Sequence, residues 1–314
     1  MSIIRNAARA AGAGVLLTAA AAQGFTRYVT RGNRQTLEEA IRWQGEHYDI
    51  SFFDSLEKEE YTVKGYEDYI LHVVFCKNPR PSKKYVILTH GHTDNRYGML
   101  KYMKIYLDLG YNCIIYDLRG HGLNKRDWCS YGLRESRDLV RLIEDTYRRF
   151  GSDIYLGLHG ESLGSATTIT ALRHKPDVRF AIADCGFADL ETVLTDIASS
   201  LHVSRHTVRL TWLGTRVKHR VSIYKIRPIR GLMHNKVPVM FIHGKDDTYI
   251  SPRHSRRMYR AVTAYKELHL IPGATHAASV LTAPEDYRRY VAGFLKKVEK
   301  LERTQKEKEC QKEN

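Results

Sequence analysis

A mostly parallel, doubly wound α/β sheet carrying one long insertion is the fold class this sequence predicts. Two observations point to it: short apolar runs recur along the chain, and amphipathic helical stretches separate them. A third locates the insertion, because one interval is far longer than an ordinary connection and has helical patterning of its own.

The first element is a hairpin. Tyr61–Lys64 and Tyr69–Cys76 read as its two strands, with Lys64-Gly65-Tyr66-Glu67-Asp68 between them as the turn. Six apolar runs follow, of the kind that are buried on both faces of a parallel sheet. They are Tyr85–Thr89, Asn112–Asp117, Ile154–Leu158, Phe180–Asp184, Val237–His243 and Glu267–Ile271. Helices are predicted over Tyr97–Leu109, Leu133–Phe150, Leu163–His174, Pro252–Thr263 and Ala283–Leu301. Strand, helix and strand in repetition require right-handed crossovers. Residues 187–236 form the insertion, and such an insertion at a fixed point in an α/β sheet most often covers the site as a cap.

Length and composition agree with this plan. A chain of 314 residues, 43% hydrophobic and 27% charged, suits one large α/β domain with an insertion and not a disordered or disulfide-stapled protein. The five cysteines show neither metal-site nor disulfide spacing, and Cys113 and Cys185 sit inside apolar runs as small core residues. The net charge of +15 is local. Residues 1–34 (Arg5, Arg9, Arg27, Arg31, Arg34) and 197–244 (Arg205, Arg209, Arg216, Lys218, Arg220, Lys225, Arg227, Arg230, Lys236) contain no acid and supply fourteen of those charges. The rest of the chain is near neutral and no nucleic-acid reading element is visible, so a nucleic-acid partner is not expected.

Residues 1–34 read as an anchor or signal segment. Ala10–Thr26 is uncharged for 17 residues, the short end of a membrane span, and is rich in Ala and Gly rather than Leu. A basic start and the small residues Ala20-Ala21-Ala22 also fit a cleavable secretory signal, and an Ala-rich surface helix is a third reading. Membrane association through residues 10–26 is the expected localisation, with secretion after cleavage as the alternative. A polytopic membrane protein is excluded. Residues 35–298 then form the α/β domain, and 299–314 a charged, solvated tail.

The chemistry concentrates at Gly160-Glu161-Ser162-Leu163-Gly164, in the run IYLGLHGESLGSATT. A G-x-S-x-G pentapeptide is weak alone, but this one follows a buried strand and opens a helix, as a nucleophile elbow requires. The serine needs a base, and the base needs an orienting acid. Asp247, in VPVMFIHGKDDTYISP, follows an apolar strand 85 residues after Ser162, and His276, in ELHLIPGATHAAS, follows the next strand 29 residues further on. Both stand at carboxyl ends of strands, where sites form in open α/β sheets. Asp246 is the neighbouring competitor for the acid, and Asp184 another, though it reads as structural. His90 and His121 read as loop-stabilising groups, and His159 as packing beneath the elbow. Two backbone N–H groups should complete an oxyanion hole: Leu163, directly after the nucleophile, and His92, in the loop Thr89–Thr93.

These residues resemble the α/β-hydrolase superfamily. The segments THGHTDNRYGM, IIYDLRGHG, HGESLGSATT, VPVMFIHGKDDTYISP and IPGATHAAS are similar to those of bacterial serine hydrolases of the serine aminopeptidase-like and prolyl-oligopeptidase-like branch, many of which carry an N-terminal membrane anchor. The likeness spans roughly residues 60–298. It implies an α/β-hydrolase fold with a helical cap, Ser162 as nucleophile, Asp247 as acid, His276 as base, and His92 and Leu163 as oxyanion donors, with no metal or organic cofactor. Ser251 departs from the small apolar residue that relatives often place before this proline. The branch includes esterases, thioesterases, lipases and peptidases, so a carboxylic ester is the expected substrate, with a peptide the alternative. A non-catalytic binding protein on the same fold is a more remote third reading. The basic insertion suggests an anionic or membrane-derived acyl substrate. Val193, Leu194, Leu201, Leu210, Trp212 and Leu213 are candidates to line its pocket, although at helical spacing such residues are more often core.

Overall fold

The computed structural model describes residues 32, 34–200 and 222–313. The expected anchor at Ala10–Thr26 and the insertion residues Leu201, Leu210, Trp212 and Leu213 lie outside them. Among the described residues no helix is long and apolar enough to cross a membrane.

The predicted strands assemble into an eight-stranded, mostly parallel sheet. In chain order they are β1 (Lys58–Lys64), β2 (Ile70–Cys76), β3 (Lys84–Thr89), β4 (Asn112–Tyr116), β5 (Tyr155–Glu161), β6 (Phe180–Asp184), β7 (Val239–Gly244) and β8 (Lys266–Ile271). Their spatial order is β1-β2-β4-β3-β5-β6-β7-β8. The hairpin β1–β2 is antiparallel and joins the sheet antiparallel to β4, and every later pairing is parallel. The sheet therefore reverses its winding direction next to β3, at the strand pair β3–β5, and ligands of open α/β sheets bind beside such a reversal.

The helices are α1 (Leu37–His47), α2 (Ser51–Asp54), α3 (Leu100–Asp108), α4 (Glu135–Phe150), α5 (Leu163–Ala171), α6 (Leu190–Ser200), α7 (Arg253–Ala261), α8 (Ser279–Thr282) and α9 (Pro284–Glu313). Two apolar layers enclose the sheet, sorted by the strand period of two. Ile87, Ile114, Leu156, Leu158, Ala181, Val239 and Phe241 face one layer, with Leu139, Leu142 and Ile143 of α4, Ile169 of α5 and Met258 of α7. Val86, Leu88, Cys113, Ile115, Ile182, Met240 and Ile242 face the other, with Leu100, Met103 and Tyr106 of α3 and Tyr287, Val291, Phe294 and Val298 of α9. The central strands are buried on both faces, which is why their sequences are uninterrupted apolar runs. Cys76, Cys113, Cys129 and Cys185 are all buried.

The element boundaries depart from the sequence reading where one residue changes the backbone's options. β7 starts at Val239 and not Val237, because Pro238 has no N–H for the ladder and contributes only its carbonyl, which accepts from the Ala181 N–H at 3.0 Å. The stretch predicted as one helix from Tyr97 begins as a 3-10 turn, Arg96–Met99, capped by the Asn95 side chain on the Tyr97 N–H, and becomes α-helical at Leu100. The tail continues α9 to Glu313, exposed beyond Glu302 through Gln311. Helix α1 was not foreseen. Its signal is the capping box Thr36–Glu39, in which the Thr36 hydroxyl accepts from the Glu39 N–H and the Glu39 carboxylate accepts from the Thr36 N–H.

The chain divides into two compact units. The larger, Arg34–Ala188 with Arg227–Asn314, holds the sheet and both layers. In the smaller, the described part of the insertion consists of α6 and the short turn Ile223–Lys225. Asp189 caps α6 by accepting from the Thr192 N–H at 2.8 Å, and the Leu190 N–H donates to Ile226 O at 3.0 Å.

Candidate active site

Ser162 sits between the last residue of β5 and the first of α5, with φ 53° and ψ −110°. Left-handed φ in a residue bearing a Cβ is strained and is held only by dense surroundings. Here the constraint is steric. A Cβ at Gly160 would overlap the Gly164 carbonyl, and a Cβ at Gly164 would overlap the carbonyls of Thr89 and His90. The two glycines let β5, α5 and the loop after β3 pass close together, and that closeness drives the serine outward. The Ser162 N–H donates to Asp184 O at 2.9 Å, which ties the turn to the end of β6.

Three candidates from separate loops meet at this turn. Ser162 Oγ lies 2.9 Å from His276 Nε2, and His276 Nδ1 lies 2.7 Å from Asp247 Oδ2. An ionised carboxylate only accepts, so Nδ1 carries the imidazole proton and Nε2 offers its lone pair to the serine hydroxyl. Burial alone would raise the Asp247 pKa. The hydrogen bonds from His243 and His276, with the Ile250 N–H, outweigh it and hold the carboxyl well below its ordinary range. Asp247 is buried, while the His276 side chain keeps 22% exposure.

His243 was not singled out from the sequence. Its Nε2 lies 2.7 Å from Ile250 O and 3.1 Å from Asp247 Oδ2, both acceptors, so Nε2 holds the proton and Nδ1 accepts from Ser255 Oγ at 2.7 Å. The Asp247 carboxylate is thus fully engaged: Oδ2 by two imidazoles, Oδ1 by the N–H groups of Tyr249 at 2.9 Å and Ile250 at 2.8 Å. Only its place four residues before Asp247 in the run F-I-H-G marks His243 in the sequence. Asp246 points elsewhere, accepting from the Gly273 N–H at 3.1 Å.

The loop carrying His92 lies against Ser162: a Cβ at Gly91 would stand 3.6 Å from Ser162 Cβ. The Leu163 N–H belongs to the first turn of α5, whose amides have no intrahelical acceptor, and the positive end of that helix dipole faces the serine. His90 stabilises the loop from inside. Its Nε2 accepts from the Leu118 N–H at 2.9 Å, so Nδ1 donates to Gly91 O at 2.7 Å, and burial depresses its pKa to about 3. His121 is also held neutral, first by burial and then by His90. His159 is buried one strand position beneath the elbow between the hydroxyls of Tyr106 and Tyr287, with its pKa lowered to about 3 by burial.

A cluster of carboxyls lies under the site. Tyr102 Oη is 2.6 Å from Glu161 Oε2 and 3.0 Å from Asp184 Oδ2, and the Tyr287 hydroxyl is also 3.0 Å from Asp184 Oδ2. The Tyr102 hydroxyl is divided between the two carboxyls, and the Tyr287 hydroxyl donates to Asp184 as well. Burial, and then the charge of Glu161, push Asp184 up to about 6, and the same two causes raise Asp94 to about 6. For a carboxyl raised in this way the folded state binds more protons than the unfolded state between the ordinary value near 4 and about 6, so stability falls as pH rises through that window. The Asp184→Asn chain is therefore expected to lose less thermal stability than the unchanged protein between pH 4 and 7. Equal losses in the two thermal melts would contradict this account of Asp184.

A mostly parallel sheet with a serine on a strained strand-to-helix turn, hydrogen-bonded to a histidine after the last strand, defines a serine hydrolase of the α/β-hydrolase superfamily. Residues 98–302 match the prolyl oligopeptidase family, and the chain belongs to that family. It is similar at 31% identity over 301 residues to the uncharacterized protein YqkD of Bacillus subtilis (strain 168), a match covering 90% of this chain and 95% of that protein. A second relative, the uncharacterized protein YfhR of Escherichia coli (strain K12), is 24% identical over 217 residues, or 67% of this chain and 69% of the relative. Among solved structures the fold is similar to the Pyrococcus furiosus esterase Pf2001, with TM-score 0.65 and 22% identity, covering 80% of this chain and 96% of that one. It is also similar to the Pyrococcus horikoshii acylaminoacyl peptidase, with TM-score 0.61 and 18% identity, covering 79% of this chain but 42% of the other.

Proposed function

We propose that this serine hydrolase cleaves carboxylic esters or closely related acyl bonds through an acyl-enzyme on Ser162. The observation that carries this reading is the hydrogen-bonded chain from Ser162 Oγ through His276 to Asp247. In the first half-reaction His276 Nε2 takes the hydroxyl proton as Oγ bonds to the acyl carbon, and Asp247 stabilises the imidazolium. The carbonyl oxygen becomes an oxyanion held by the N–H groups of Leu163 and His92. The tetrahedral intermediate then collapses, the acyl–oxygen bond breaks, and His276 passes its proton to the leaving alkoxide. Water repeats the sequence on the acyl-enzyme, with His276 as base and Ser162 as leaving group.

Support for an ester over a peptide comes from extent. The chain matches nearly the whole of the esterase from P. furiosus but less than half of the acylaminoacyl peptidase from P. horikoshii. The family's description favours the peptidase as the second reading. The deciding experiment gives the full chain two substrate series, p-nitrophenyl esters from acetate to palmitate and aminoacyl or acylpeptidyl p-nitroanilides, with Ser162→Ala as the blank. The expected result is kcat/KM at least about tenfold higher for the best ester, beyond the head start that an activated phenyl leaving group gives, confirmed on an alkyl ester of the same acid. A higher kcat/KM on an anilide than on that alkyl ester would make the protein a peptidase. No turnover of either series, together with no reaction with a fluorophosphonate, would favour the non-catalytic reading.

A further inference from the structure

Lys101 stands in the first turn of α3, on the side of the sheet that faces the carboxyl cluster, with its side chain only 6% exposed. Its Nζ lies 2.5 Å from Glu161 Oε2 and donates to Ala277 O at 3.2 Å. Glu161 is the residue before Ser162, and Ala277 is the residue after His276. A single ammonium therefore joins the two positions that flank the serine and the imidazole, one at the end of β5 and the other in the loop after β8. Burying a lysine is costly unless it is paired, and this one meets its partners at the two places where alignment of Ser162 with His276 is decided.

The loop it grips needs holding. Ala277 has φ 59°, a left-handed backbone in a residue with a Cβ. Such a conformation persists only where surrounding contacts over-determine it. The carbonyl of this strained residue accepts from Lys101 at 3.2 Å. On the other side, Glu161 is held by two consecutive residues of α3, since the Tyr102 hydroxyl donates to the same Oε2 at 2.6 Å. The charged and titratable groups facing the ammonium are Glu161 from β5, Asp94 from the loop after β3 and Cys185 from the turn after β6, together with Tyr102 beside it on α3. Burial would lower the lysine's pKa, but Glu161 and Asp94 more than offset it, and the group is charged across the working range.

We propose that Lys101 is a positioning residue that holds the His276 loop in register with the Ser162 elbow. The proposal rests on the reading of Ser162 and His276 as nucleophile and base. Lys101 touches no reacting atom in it; it acts through the Ala277 carbonyl and the Glu161 carboxylate.

The test compares Lys101→Met, the double variant Lys101→Met/Glu161→Gln, Lys104→Met and Ser162→Ala in the full chain, using p-nitrophenyl acetate turnover, the rate of fluorophosphonate labelling and the thermal midpoint. Lys101→Met is expected to lower kcat and the labelling rate about 10- to 100-fold, the scale of a misplacement near 1 Å, with KM within about twofold. It also strands the Glu161 carboxylate and should lower the midpoint. The double variant removes that unpaired charge, while the amide oxygen introduced by Glu161→Gln still accepts from Tyr102, so its midpoint should recover by more than half of the loss. Its kcat should stay low, because the Ala277 tether is still missing. Lys104, exposed on the same helix and paired with Asp108 at 2.6 Å, should tolerate methionine within twofold in kcat. Recovery of kcat together with the midpoint in the double variant would reduce Lys101 to a stability role and overturn the proposal, as would wild-type kcat in Lys101→Met. If the single variant does not fold, the double variant alone decides. Turnover surviving in Ser162→Ala would instead overturn the underlying reading of the nucleophile.

Discussion

Asp247→Asn is expected to lower kcat on the order of 10⁴-fold while the chain remains folded. The size follows from which hydrogen atoms the site can accommodate. Asp247 Oδ1 accepts two backbone N–H groups, from Tyr249 and Ile250. An asparagine must keep its carbonyl oxygen there, since an NH₂ group would face two donors. The NH₂ then takes the place of Oδ2, against His276 Nδ1 and His243 Nε2. To receive that donor, His276 must carry its proton on Nε2, and the lone pair that should take the Ser162 proton is gone. His243 must also give up a proton already shared with Ile250 O, so a loss of some stability accompanies the loss of rate. Asp246→Asn is the matched control and should change kcat less than about threefold, because Asp246 answers only the exposed Gly273 N–H. Steady-state kinetics of the two variants on one ester would check both statements, and equal losses would mean that the acid has been misassigned.

Larger still is the effect expected at the other two members. Ser162→Ala and His276→Ala should each remove roughly 10⁶ in kcat, and the double variant should be no slower than either single one. Non-additivity is the informative part. With Oγ 2.9 Å from Nε2, the proposed mechanism passes one proton between the two groups, so removing either should leave the other with nothing to do. Residual turnover would come from the Leu163 and His92 amides and from binding alone. Losses that multiplied in the double variant would mean that the two residues act independently, contrary to the geometry.

How much of this could be read from the sequence depended on how local the physical signal was. The sheet was legible because strands buried on both faces are continuous apolar runs, and β6 was delimited at both ends. The elbow was legible because sterics force glycine at positions 160 and 164 whatever the surrounding fold. Ser162, Asp247 and His276 stood out by chain order and by their places at strand ends. His243 did not. A histidine inside an apolar strand looks like any other of the fifteen until the fold shows its proton directed at Ile250 O and Asp247. The Lys101 pairing was invisible for a related reason, since it joins residues 60 and 176 positions apart through packing of α3 on the sheet. Helix α1 carries two local marks, Leu37, Ala40 and Ile41 at helical spacing and the Thr36–Glu39 box, but over eleven residues both are short enough to pass unread.

Reaction of the full chain with a fluorophosphonate, followed by peptide mass mapping of the adduct, asks whether Ser162 is an activated nucleophile. One adduct per chain is expected, on Ser162, absent from Ser162→Ala and formed far more slowly by Asp247→Asn. An adduct on another residue, or ester hydrolysis by a chain that the reagent leaves unmodified, would contradict it.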